Sequence, residues 1–150
     1  MLTCIPILFA AFLGCNTAVE TSQAEPNPPV VSATPIVSNQ FNTAWAGSGK
    51  ASITPFARGE NAFLGQLWLA PNAAVPEHQD PTEEYLYILS GTGTLTLDGI
   101  AHDVGPGHVI YMPANATVSY QNGASPMEAI QVFAGPSSAD KYAKWGSKPL

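Results

Sequence analysis

One short segment of the sequence concentrates side chains that could bind a metal ion. Residues 78–84 read HQDPTEE and contain one imidazole, His78, and three carboxylates, among them Asp80 and Glu84. Because alternate residues of an extended chain face the same way, His78 and Asp80 share a face. If Glu84 faces the same interior, one nitrogen and two carboxylates converge. Such donors can hold Fe(II), Mn(II) or Zn(II), with water completing the coordination shell.

Three interpretations of this cluster are open. It can be a metal site, a metal-free pocket that binds a ligand by hydrogen bonds, or a structural group of a histidine with nearby acids. A buried Glu84 without a cation needs His78 or a hydroxyl as its partner, because burying an unpaired charge is costly.

Composition restricts the classes of function. The 150 residues suit one domain, and the hydrophobic fraction of 45% is enough for a core. A net charge of −6 with 5 Lys and Arg argues against nucleic-acid binding and against electrostatic docking on an anionic membrane. The 13 Gly and 14 Pro, set between short apolar runs, favour an all-β fold with tight turns.

The N-terminus is typical of an export signal followed by a linker. Residues 1–15 form an apolar run too short to span a bilayer, and they end on Cys15 in a bacterial lipobox-like context. We expect lipidation at Cys15 and a place in the bacterial cell envelope; ordinary secretion, including to the periplasm, and a misassigned start are the alternatives. Residues 16–45 are predicted to form a flexible Pro-rich linker.

Short strands with turn signals between them fill residues 46–136. In residues 84–91, Glu84, Leu86 and Ile88 alternate with Tyr85, Tyr87 and Leu89. Asp98-Gly99 predicts a hairpin turn. The other predicted strands are residues 63–70, 91–99, 108–113, 117–122 and 127–135. Residues 137–150 are predicted to form a helical tail.

Two spaced motifs resemble those of the cupin superfamily. The first cupin motif, Gly-x5-His-x-His-x3-Glu-x6-Gly, is similar to the series that begins at Asn72 and ends at Gly91. The second, Gly-x5-Pro-x-Gly-x2-His-x3-Asn, is similar to the series from Gly107 to Asn122. The intervening matches in the two motifs are His78, Asp80, Glu84, Pro113, Asn115 and Val118. The resemblance implies a single-domain jelly-roll β-barrel over about residues 50–135.

The resemblance also implies a degenerate metal site. In metal-bearing cupins two histidines and the glutamate of the first motif bind the ion together with the histidine of the second. His78 and Glu84 match, but Asp80 replaces one histidine and Val118 replaces another. The implied cofactor is one divalent ion, Fe, Mn or Zn, on His78, Asp80 and Glu84.

The predicted ligand pocket contains Val118, Tyr120 and Gln66. Tyr120 shares a strand face with Val118 and either offers a hydroxyl to the pocket or packs in the core. Gln66 and Trp68 share a face of their strand. Both side chains either line the pocket or lie outside it.

The sequence predicts an exported cupin that binds a small molecule and has an incomplete metal site. One alternative is a metal-dependent enzyme, of dioxygenase, isomerase or lyase type, acting on a small organic substrate. Another is an assembly role in which barrels pair through an edge sheet. We expect a homodimer, no nucleic acid and membrane contact only through the lipid anchor.

Overall fold

The computed structural model describes residues 37–149, which form two antiparallel sheets. The first sheet has the order β1-β2-β3-β10-β5-β8, and the second has the order β4-β9-β6-β7. The strands are β1 Ala44–Trp45, β2 Ala51–Arg58, β3 Ala62–Leu69, β4 Ala74–His78, β5 Glu83–Ser90, β6 Gly93–Leu97, β7 Ile100–Val104, β8 Val109–Met112, β9 Val118–Asn122 and β10 Met127–Ala134. A 3₁₀ helix, Pro136–Lys144, follows them.

The core lies between the sheets because the strands alternate apolar and polar residues. In β10, Met127, Ala129, Gln131 and Phe133 are buried, and the residues between them are more exposed. The same alternation in β5 turns Glu84, Leu86 and Ile88 inward. The Tyr85, Tyr87 and Leu89 side chains of β5 are exposed on the opposite face. This two-residue period is what a sheet with one buried face requires.

Tight turns connect the strands at the positions that the sequence predicts. Asp98 and Gly99 have φ angles of 48° and 81°, which is the left-handed geometry of a two-residue hairpin, and Leu97 pairs with Ile100 across the turn.

The predicted helical tail is the 3₁₀ helix. The β1 strand lies at the end of the predicted linker and pairs with β2. The rest of that linker up to residue 36, and Cys15, lie outside the described residues.

The described residues contain no helix that is both long enough and apolar enough to cross a membrane.

Gly91 follows β5 and lies against the backbone of Pro126 and Met127, at the start of β10. Its φ is 80°, and a Cβ there would lie 2.4 Å from the carbonyl oxygen of Pro126. Gly107 has a similar φ of 85°, but a Cβ there would have no neighbour within 4 Å. Both glycines therefore have the left-handed backbone conformation, but only Gly91 is also crowded by neighbouring atoms.

We expect both Gly91→Ala and Gly107→Ala to lose about 1 kcal/mol of unfolding free energy from left-handed strain. Gly91→Ala should lose about 1–3 kcal/mol more, because the backbone must shift to accept the methyl group. Urea unfolding of the two variants measures the difference. Equal losses would contradict the close approach at Gly91.

Candidate functional site

A cavity of about 700 Å³ opens between the two sheets. Most of its wall is aliphatic, and both sheets contribute to it. The apolar side chains that line it include Leu67, Leu69, Leu86, Ile88, Leu95, Ile110, Met112, Val118 and Met127. The polar side chains that line it include His78, Glu84, Tyr120, Gln131, Lys141 and Tyr142.

A buried chain of hydrogen bonds runs along one side of the cavity. The Nε2 of Gln131 donates to the Oε1 of Glu84 at 2.6 Å. The hydroxyl of Tyr142 donates to the Oε1 of Gln131 at 2.8 Å. These three residues come from β5, β10 and the 3₁₀ helix, so the chain joins the helix to the central strands of the larger sheet.

Burial controls the protonation of Glu84. Its side chain is among the buried polar groups, and loss of water raises the pKa of the carboxyl above its ordinary value. The hydrogen bond from Gln131 and the charge of Lys141 act in the opposite direction but do not cancel this effect. The partner of Glu84 is therefore an amide, not the histidine or hydroxyl that the sequence suggests.

His78 is oriented by its own strand. Its Nδ1 lies 2.9 Å from the carbonyl oxygen of Pro76. A carbonyl can only accept, so the proton of neutral His78 belongs on Nδ1. The other ring nitrogen, Nε2, lies 3.6 Å from the Oδ2 of Asp80. This separation fits an attraction between charges better than a direct hydrogen bond.

Asp80 lies between Lys141 and His78. The Nζ of Lys141 is 2.7 Å from the Oδ2 of Asp80, on the side chain that also approaches His78. The attraction of Asp80 raises the pKa of His78, although burial acts against it. Burial alone would raise the pKa of Asp80, but His78 and Lys141 together bring it below its ordinary value.

The donor set of this chain does not fit a divalent metal ion. Within residues 37–149, no three His, Cys, Asp or Glu side chains are grouped closely enough to hold one. Strand pairing places Val118 opposite His78, where a further ligand would be needed. The carboxylate of Asp80 already forms an ion pair with Lys141. His78 and Glu84 both line the cavity, whereas Asp80 does not.

The predicted pocket residues divide between two faces. Val118 and Tyr120 are buried and line the cavity. Gln66 does not: its neighbour Leu67 faces the cavity, so Gln66 is on the opposite face of β3. There its Nε2 donates to Glu128 at 3.3 Å. The expectation that Gln66 contributes to the pocket is therefore corrected.

Three polar groups of the site were absent from the sequence prediction. Gln131 lies in β10, a strand that the sequence predicts. Two-residue alternation along β10 places Gln131 on its inward face. Lys141 and Tyr142 belong to the predicted tail, and nothing in the local sequence indicates that the tail returns to the barrel. A buried glutamine at an otherwise apolar inward position was the available signal.

Comparison with known families agrees with this geometry. The family model described as Cupin domain matches residues 67–133, which run from β3 through β10. This barrel is a cupin. The cupin assignment covers the strands that build the cavity, including the segments that carry His78, Glu84 and Val118.

Similar proteins are found among both sequences and structures. SchB of Streptomyces halstedii is 28% identical over 94 residues, 61% of this chain and 67% of SchB. The tetracenomycin polyketide synthase protein TcmJ of Streptomyces glaucescens is 38% identical over 55 residues, 35% of this chain and 37% of TcmJ. The crystal structure of an RmlC-like cupin from Shewanella frigidimarina has a TM-score of 0.61 at 13% identity, covering 69% of this chain and 92% of that chain.

The matched region spans about two thirds of SchB and little more than a third of TcmJ. The structural similarity, at 13% identity, shows the fold.

The buried position of Glu84 predicts a pH effect on stability. Its pKa is higher in the folded than in the unfolded protein, so this residue favours folding below the unfolded value of about 4.3. That contribution is lost as the pH rises through the folded pKa. Glu84→Gln has no such titration, and we expect its unfolding free energy to rise relative to the unmutated protein as the pH increases above about 4.

Urea unfolding of both proteins between about pH 4 and pH 8 measures this difference. Asp103→Asn, on exposed strand β7, is the matched control. A difference for Glu84→Gln that stays constant with pH would contradict the effect of burial on Glu84.

Proposed function

We propose that the cupin barrel binds a small organic molecule in its central cavity. The observation that carries this proposal is the cavity of about 700 Å³, with a largely aliphatic wall and a few polar groups. Small-molecule sites are commonly about 300–1,000 Å³ with this kind of lining. The apolar wall supplies contact area, while His78, Glu84 and Lys141 supply the groups that orient a ligand.

The hydroxyl of Tyr120 supports the same proposal. Tyr120 is 8% exposed and lines the cavity. Its hydroxyl is buried without a hydrogen-bond partner among residues 37–149. Leaving a buried polar group unpaired costs about 1–3 kcal/mol, so a polar atom of a ligand or a water molecule would stabilise it.

The comparison with TcmJ suggests which molecules to test first. The name of TcmJ associates that protein with a polyketide synthase, and this chain is similar to it over 55 residues. A compound with an aromatic body and a polar substituent suits the division of the cavity into apolar and polar surfaces. We therefore choose naphthalene derivatives as probes.

We expect 2-naphthamide to bind in the cavity and to shift the methyl signals of Met112 and Met127. Both methionines line the cavity. The measurement is a titration of the full chain labelled with ¹³C-methyl methionine. Val118→Phe should weaken binding by about tenfold or more, because the added ring occupies part of the cavity.

Ser119→Phe is the matched control, since Ser119 is the next residue of β9 and does not line the cavity. This variant should bind the probe as the unmutated protein does. Equal loss in both variants, or no shift of either methionine in the unmutated protein, would count against a binding site in the barrel.

We further propose that the protein is exported and lipid-anchored through Cys15, and that it forms a homodimer. The support for export is the apolar run that ends at Cys15 in the sequence. In a bacterial host, Cys15→Ser should move the protein from the membrane fraction to the soluble fraction, while Cys4→Ser should not. Retention of Cys15→Ser in the membrane fraction would contradict the anchor. The homodimer is tested separately, by sedimentation of the soluble Cys15→Ser variant.

A further inference from the structure

The C-terminal 3₁₀ helix brings a fixed cation to the cavity. Lys141 lines the cavity although it comes after the last barrel strand. Its Nζ lies 2.7 Å from Asp80, 4.9 Å from the ring centroid of Phe133 and 5.7 Å from that of Tyr142. One carboxylate and two aromatic faces thus hold the ammonium group in place.

Contacts at the beginning of the helix hold its backbone against the barrel. Gly135 precedes it with a φ of 111°, and a Cβ there would lie 2.5 Å from the side chain of Thr82. The hydroxyls of Thr82 and Ser138 are 2.6 Å apart, and Arg58 pairs with Asp140 at 2.6 Å.

Contacts in the last turn of the helix and just beyond it hold its other end. Tyr142 is buried and bonds to Gln131, and the backbone of Gly146 exchanges two hydrogen bonds with that of Trp45. Lys141 lies between these attachments, so its position is determined before any ligand arrives.

The groups around Lys141 leave this side of the cavity suited to an anion. Asp80 is shared between the ammonium group of Lys141 and the imidazole of His78, so it does not belong to Lys141 alone. The nearby Glu84 accepts from Gln131, and burial raises the pKa of its carboxyl. The exposed Glu77 and Lys50 also border the cavity and carry opposite charges.

We propose that the ligand of this cavity carries a carboxylate or enolate oxygen and that the ammonium group of Lys141 binds it directly. The lysine is thus the cation of the site, in a barrel whose His, Asp and Glu side chains do not fit a metal ion. This inference rests on the proposed binding function and defines the chemical class of the ligand. Lys141 has three donors and gives one to Asp80, which leaves donors for the ligand.

A matched pair of probes tests the charge preference. 2-Naphthoate and 2-naphthamide have the same ring and differ in the charge of the substituent. We expect the full chain to bind 2-naphthoate about tenfold more tightly at pH 7.5, because a hydrogen bond to a charged group contributes about 1.5–3 kcal/mol. Lys141→Met should remove this preference, so that the two probes bind with similar affinity, whereas Lys141→Arg should keep much of it.

Lys50→Met is the control for a general loss of positive charge, since Lys50 borders the same cavity on an exposed turn. It should retain the preference for 2-naphthoate. EDTA should not alter the affinity for 2-naphthoate, because the cation of the site is part of the chain. The Met112 and Met127 methyl signals report binding and also show whether each variant is folded.

The outcomes separate this inference from the proposed function. If neither probe binds the unmutated protein, the binding function itself fails. If both probes bind but Lys141→Met keeps the preference for 2-naphthoate, the role of Lys141 is wrong and the binding function stands. Loss of 2-naphthoate binding after EDTA treatment would assign the charge to a metal ion and overturn the inference.

Discussion

The burial of Glu84 is the constraint on which the site depends. A carboxyl group in an apolar barrel is unfavourable unless its oxygens are satisfied or it keeps its proton. In this chain Gln131 donates to Oε1 of Glu84, and burial raises the pKa of the carboxyl. Gln131 in turn accepts from Tyr142, so the glutamate is supported by the helix that follows the barrel.

Much of the fold could be predicted from the sequence because its signals are local. Two-residue alternation indicated β5, and Asp98-Gly99 indicated the turn between β6 and β7. The predicted strands at residues 91–99 and 127–135 contain β6 and β10. The spacing of the two motifs indicated a cupin, as the family model confirms for residues 67–133. The short strands β1 and β4 are stabilised by pairing with distant partners and carry weak local signals.

The site could be predicted only in part, because its chemistry depends on contacts between distant segments. The alternation of β5 placed Glu84 on one face with Leu86 and Ile88, and the structure shows that this face is the buried one. The pairing of β4 with β9 brings His78 beside Val118. The sequence did not indicate that Lys141 would reach Asp80, 61 residues earlier in the chain. The orientation of Gln66 was ambiguous because both faces of β3 carry large apolar side chains, such as Leu67 and Trp68.

The attachment of the 3₁₀ helix has a consequence for how the site is assembled. The strands of the barrel all precede residue 135, whereas the ammonium group on the cavity wall belongs to residue 141. Every strand residue is therefore synthesised before the lysine. The cavity wall therefore has this positive charge only when the tail is packed against the barrel.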